Sequence, residues 1–191
     1  TKPREQLCDE LNMQSGLPKG QRKRLCAGLK QDFEVTLLQI YPLNSNEEPS
    51  VGISGILGSA SATVIDAEAG YLVTNEHVVR RGGDVFVRIG SEEIPCSVVS
   101  RDADNDLALL KIGDWKNEER LVSLPVAFEV DLGQQVFALG YPKMDELGKS
   151  IKVTDGVVSA MSFMEKPNMY QISCPITNGN SGGALVTSDG Y

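Results

Sequence analysis

The stretch Ala62-Thr-Val-Ile-Asp-Ala-Glu-Ala-Gly-Tyr-Leu-Val-Thr-Asn-Glu-His-Val-Val79 decides the fold class. β-Branched and aromatic residues crowd Ala62–Asp66 and Tyr71–Thr74, and Gly70 separates the two runs. Short runs of this kind, bounded by a residue that turns freely, read as neighbouring strands rather than as a helix. The pattern continues outward in both directions. Upstream lie the apolar run Val35–Tyr41 and the segment Ile53–Leu57. Downstream come Val85–Ile89, Ile94–Ser100, Leu107–Ile112, Gln135–Leu139, Lys152–Met161, Met169–Cys174 and Ala184–Thr187. Gly82-Gly83, Gly90, Gly113-Asp114 and Gly148 mark the turns between them. Many short strands with glycine-rich turns and no alternating helices imply a mostly β protein, an antiparallel barrel or sandwich.

Composition supports a packed core. The 191 residues are 41% apolar and 23% charged, ordinary globular values that argue against wholesale disorder. Length alone suggests one domain or one two-lobed unit. No apolar run approaches the roughly 18 residues of a membrane span. Charge divides the chain in two. Residues 1–32 carry seven Lys/Arg against four Asp/Glu, net +3, while residues 33–191 carry eleven against twenty-two, net −11. An acidic body is repelled by phosphate backbones, so nucleic acid is excluded as a partner. Residues 1–32 read as two short helices, Arg4–Gln14 and Gln21–Gln31, broken by Ser15 to Gly20. This segment, with Lys19, Arg22, Lys23 and Arg24, is a candidate docking element for a protein partner. Cys8, Cys26, Cys96 and Cys174 are too few and too scattered for a disulfide scaffold or a zinc ribbon. A Cys8–Cys26 bridge and four free thiols both remain open. Nothing legible at Thr1 fixes the compartment, and an exported location, periplasmic or secreted, is favoured over the cytoplasm.

The chemistry gathers on three short motifs. His77, the single histidine of the chain, sits where an apolar strand ends. Gly179-Asn-Ser-Gly-Gly-Ala-Leu185 places a serine among glycines just before a strand. A serine hydroxyl is a weak nucleophile and needs a base within hydrogen-bond reach, and His77 is the one imidazole available. The glycines permit a tight turn in which the amides of Gly179 and Ser181 converge beside the hydroxyl, with Asn180 between them, as an oxyanion site requires. A carboxylate must hold the imidazole in the right tautomer. Asp106, directly ahead of the apolar run Leu107–Ile112, is expected to enter the core and take that role. Asp102 and Asp104 read as solvated loop charges. The order His77, Asp106, Ser181 is one of several in which hydrolase folds arrange this geometry.

These motifs resemble those of trypsin-like proteases of the HtrA/Deg branch. Thr74-Asn-Glu-His-Val-Val79 is similar to the family's T-x-x-H-V-V, Asp106-Leu-Ala-Leu to its D-[IL]-A-[VL], and Gly179 to Leu185 to its G-N-S-G-G-[PA]-L. Gly140-Tyr-Pro142 and Asp155-Gly-Val-Val-Ser-Ala160 are weaker echoes. The resemblance covers residues 33–191 and implies two six-stranded antiparallel barrels of chymotrypsin type, residues 33–120 and 121–191, with the active site in the cleft between them. It implies a serine endopeptidase acting on polypeptides, with no metal and no organic cofactor. It also implies that Pro175, Ile176, Thr177 and Asn178 line the pocket for the residue ahead of the scissile bond. None of the four is a carboxylate, so small or medium apolar side chains are expected there.

Two departures qualify the resemblance. Asn180 stands where digestive zymogens carry an aspartate that pairs with a freshly cut N-terminus, so that ion pair is not available. No PDZ domain of the HtrA kind is visible in the 191 residues. The family's later strands close the second barrel, so within residues 121–191 that barrel is expected to be incomplete and the chain to be a fragment. The competing class is a protease-like binding or regulatory module that keeps the fold with little turnover.

Overall fold

Gly70 takes φ 69°, a left-handed conformation that costs glycine nothing, and the chain doubles back on itself there. The two arms are β2 (Ala60–Asp66) and β3 (Tyr71–Thr74), paired antiparallel with Thr63 opposite Val73. The computed structural model describes residues 37–42, 60–89, 92–115, 121–127, 129–142, 151–162 and 169–188. The two helices expected within residues 1–32, the Cys8–Cys26 pairing and the strand Ile53–Leu57 lie outside the described residues.

Around this hairpin the first unit closes. It comprises β1 (Leu37–Pro42), β2, β3, β4 (Val85–Ile89), β5 (Glu92–Asp102) and β6 (Leu107–Ile112). The strands run in the order β1-β2-β3-β6-β5-β4, and β4 pairs back onto β1, so the sheet is a closed six-stranded barrel. Period-two patterning fills it. β4 alternates buried and half-buried residues, and Val64, Leu72, Val87 and Leu110 are wholly shielded from solvent. Truncating one of these, such as Leu72, to alanine is expected to cost about 2–5 kcal/mol. One turn of helix, α1 (Glu76–Val79), follows β3 where the sequence suggested only a turn.

The second unit is a four-stranded antiparallel sheet of β7 (Gln135–Gly140), β8 (Lys152–Ser162), β9 (Met169–Ile172) and β10 (Leu185–Thr187), ordered β10-β7-β8-β9. Among the described residues it is an open sheet whose outer strands are β10 and β9. β7 is buried on both faces. Phe137 and Leu139 pack with Ile151, Val153 and Val186, whereas Val136 and Ala138 pack with Val158 and Cys174. Leu121 belongs to the first core and Leu124 to the second, so the chain crosses between the units over these residues. The strand expected over Met169–Cys174 stops at Ile172 for a local reason. Ser173 N–H still donates to Val157 O at 3.0 Å, but the return bond from Val157 N–H goes to the Ser173 hydroxyl at 3.0 Å instead of its carbonyl, so the ladder ends.

Candidate active site

Asp106 is the one residue other than glycine with positive φ, 54°, among the described residues. Aspartate tolerates this left-handed turn better than most side chains. The turn lets both its carbonyl and its carboxylate face the start of α1. Glu76 N–H donates to the Asp106 carbonyl at 3.1 Å, and His77 N–H donates to Asp106 Oδ1 at 2.8 Å. The first amides of α1, which have no partner inside the helix, are thus satisfied by a residue from β6's leading edge. The second carboxylate oxygen, Oδ2, lies 2.8 Å from His77 Nδ1. Backbone and ring are held by one side chain.

The expectation that Asp106 enters the core is corrected here. Its side chain is 44% exposed and His77's is 43% exposed, because both line the surface between the two units. Hydrogen bonds rather than burial fix the carboxylate. Partial burial alone would raise its pKa, but the His77 amide and imidazole, with the charges of His77 and Arg80, hold it below the ordinary 3.8. An ionised carboxylate only accepts, so Nδ1 carries the ring proton and the Nε2 lone pair is free for Ser181. Asp102 stays out of the site. It accepts from Asn105 N–H at 3.0 Å and from the Asn105 side chain, and it closes its own turn.

Ser181 Oγ lies 3.1 Å from His77 Nε2, across the gap between the units. Its loop is a tight turn in which Asn180 N–H donates to Thr177 O at 3.1 Å and Gly183 N–H to Asn180 O at 2.8 Å. Asn180's amide is therefore engaged within its own loop. The amides of Gly179 and Ser181 have no hydrogen-bond acceptor among the described residues. Gly179 has φ 97°. The glycines after the serine have a further purpose. A Cβ on Gly182 would collide with Ser61 O and Thr74 Oγ1, and one on Gly183 would collide with Leu139 O. They allow close approach of the loop to both units. Asn180 Oδ1, buried against Gly140, has no partner among the described residues, and a neutral amide bears that with less penalty than a buried carboxylate.

Three further residues tie the units together and were not singled out in the sequence. Ser61 N–H donates to Ser181 O at 2.8 Å, and its hydroxyl donates to Gly179 O at 2.9 Å while accepting Tyr141 N–H at 3.0 Å. Thr63 Oγ1 donates to Gly182 O at 3.1 Å. Asn75 Oδ1 accepts Gly182 N–H at 2.6 Å. Small polar residues in otherwise apolar strands were the available signal, and Ser61 is fully buried. Pro175, Ile176, Thr177 and Asn178 lead into the loop as an exposed run, pinned where Thr154 Oγ1 donates to Pro175 O at 2.8 Å. Among the described residues no cluster of His, Cys, Asp or Glu is placed to hold a metal ion.

A carboxylate, an imidazole and a hydroxyl in hydrogen-bonded series, set between a closed barrel and a second sheet, define the serine-hydrolase class of site. Comparison with known proteins narrows the class. A family model described as the trypsin-like peptidase domain matches residues 60–191, and the chain belongs to that family. It is 34% identical over 136 residues to the periplasmic serine endoprotease DegP of Salmonella typhimurium, a match covering 68% of this chain and 28% of that protein. It is also 34% identical over 142 residues to the chloroplastic Protease Do-like 1 of Arabidopsis thaliana, covering 70% and 31%. A solved structure titled as the HtrA-type protease AlgW with tripeptide superposes with a TM-score of 0.67 at 26% identity, over 88% of this chain and 51% of that one. The chain thus spans about half of that structure and under a third of these two curated relatives.

Proposed function

We propose that the protein is a serine endopeptidase with Ser181 as nucleophile, His77 as general base and then acid, and Asp106 as the group that orients the imidazole. The observation that carries this reading is the unbroken series Asp106 Oδ2, His77 Nδ1, His77 Nε2, Ser181 Oγ, with steps of 2.8 and 3.1 Å. As Ser181 Oγ attacks a peptide carbonyl carbon, His77 Nε2 takes its proton, and the depressed pKa of Asp106 keeps a negative charge against the resulting imidazolium. The carbonyl oxygen, now an oxyanion, is stabilised by the Gly179 and Ser181 amides. His77 returns the proton to the leaving amine, and water repeats the cycle on the acyl-enzyme. Pro175 to Asn178 form one side of the pocket ahead of the scissile bond, and the exposed Ile176 favours small or medium apolar side chains. Residues 37–112 supply the base and its carboxylate, and residues 121–191 supply the nucleophile. The periplasmic and chloroplastic relatives support a location outside the cytoplasm.

The test is covalent labelling of the full chain with a fluorescent fluorophosphonate. Wild type is expected to react at Ser181, and Ser181→Ala and His77→Ala to lose the label while melting like wild type. Labelling that survives His77→Ala at a comparable rate would overturn the assignment, because the chain has one histidine.

A further inference from the structure

Asn75 immediately precedes α1 at its N-cap position, with φ −75° and ψ 144°. An asparagine there ordinarily turns its side chain inward to accept one of the helix's first amides, a bond worth about 1 kcal/mol. Asn75 makes no such bond. Of the two amides it would cap, His77 N–H donates to Asp106 Oδ1 and Val78 N–H to the Asn75 carbonyl, while Glu76 N–H donates to the Asp106 carbonyl. The Asn75 amide is released from local duty and used over long range.

Both ends of that amide are committed, and to different units. Nδ2 donates to the Asp106 carbonyl at 3.0 Å and to Asp106 Oδ2 at 3.1 Å, the same oxygen that receives His77 Nδ1. Oδ1 accepts Gly182 N–H, the amide next to the nucleophile, at 2.6 Å. The orientation is fixed by chemistry. Asp106 offers two acceptors and Gly182 one donor, so the reversed amide would lose every bond. We propose that Asn75 is a positioning residue that sets the orientation of the Asp106 carboxylate and the place of the Ser181 loop through one side chain, coupling the two halves of the site. The proposal rests on the peptidase reading, since it assigns Asn75 a role in that triad. Aspartate, its isostere, cannot replace it. It would keep the acceptor for Gly182 but present a second carboxylate to Asp106, where like charges at hydrogen-bond distance repel.

The experiment compares wild type, Asn75→Ala and Asn75→Asp in two measurements. The first is the fluorophosphonate reaction, separated into its limiting rate and its concentration dependence. The second is the low-field proton NMR signal of the His77 Nδ1–H, unambiguous in a chain with one histidine. Losing a neutral donor to an ionised carboxylate, together with the loop's acceptor, predicts a limiting rate lower by about 10- to 100-fold for Asn75→Ala, with the concentration dependence within about 3-fold. Asn75→Asp is expected to fall at least as far, and in both variants the low-field proton should move upfield or vanish. A merely structural asparagine gives the opposite order, the isosteric aspartate being the milder change, and leaves the proton in place. That order, or wild-type rates with an unchanged signal, would overturn the proposal. Should Asn75→Ala fail to fold, the isosteric Asn75→Asp decides alone. If wild type takes no label, the peptidase reading fails, and the NMR comparison still shows whether Asn75 orients Asp106.

Discussion

Gly182→Ala isolates the effect of loop position on the reactivity of Ser181. Two separate penalties meet at this residue. Its φ of 79° lies in the left-handed region, where a Cβ costs roughly 1–2 kcal/mol. The added methyl would also fall on Ser61 O and Thr74 Oγ1, well inside van der Waals contact. Neither neighbour can yield. Ser61 O is backbone within β2, and Thr74 is 1% exposed with its hydroxyl already donating to Ser61 O at 2.8 Å. The loop must retreat instead, by about 1 Å, which carries Ser181 Oγ away from His77 Nε2. A misplacement of this size costs on the order of 10²-fold in rate. Gly133→Ala is the matched control. Gly133 has a similar φ, 82°, but nothing lies within 4 Å of the new methyl, so it carries the backbone strain without the collision. The assay is the fluorophosphonate rate beside a thermal melt for each variant. Gly133→Ala should lower the melting temperature and leave the rate of the folded protein alone, whereas Gly182→Ala should lower both. Reaction of Gly182→Ala within 3-fold of wild type, on a fold that melts no lower than the control, would refute the claim that this contact sets the nucleophile.

Asp106→Asn should lower turnover by about 10⁴-fold, since the amide favours the wrong imidazole tautomer. The native carboxylate's pKa is depressed, so its contribution to stability is present above the ordinary 3.8 and is lost as pH falls through the lower folded value. Acid melts should therefore separate wild type from Asp106→Asn at neutral pH, and the gap should close as pH falls below the ordinary 3.8 through the lower folded value. Ser61→Ala leaves Gly179 O and Tyr141 N–H without their shared hydroxyl and should cost about 1–3 kcal/mol, read as a drop in urea midpoint at constant slope. Burial pushes the Cys96 thiol up to about 12, offset in part by its backbone bond to Val87, and burial also raises Cys174. Peptide mapping after iodoacetamide at pH 8 should find both unmodified in the native protein and alkylated after denaturation.

The strands were legible because β4 and β6 alternate so regularly that a one-residue slip would turn their apolar faces to water. The series Asp106, His77 and Ser181 that the structure brings together was readable from residue type and order, since the chain offers one imidazole. The ties between the units were not legible. Strand periodicity says which side chains point inward but not what they meet, and Ser61 finds Gly179 across 118 residues of chain. Asp106 misled for a related reason. A charge ahead of an apolar run suggests burial, but its left-handed φ swings it back over α1 and into the cleft. Asn75 carried no signal of its own in the sequence, because its partners Asp106 and Gly182 lie far along the chain.

The placement of these ties accounts for how a hydroxyl and an imidazole on separate units can hold hydrogen-bond distance. Ser61, Thr63 and Asn75 sit on β2 and at the end of β3, and their partners fall on Gly179, Ser181, Gly182 and Tyr141. The joint between the units and the Ser181 loop are therefore largely the same atoms. A joint made of small polar groups and glycines differs physically from one made of apolar contact. Hydrogen bonds have narrow distance and angle ranges, whereas apolar surfaces tolerate sliding. The two cores on either side, around Leu72 and Leu110 and around Phe137 and Leu139, supply the bulk of the burial. The polar seam adds little net stability but fixes register, and register is what the 3.1 Å separation of His77 and Ser181 demands.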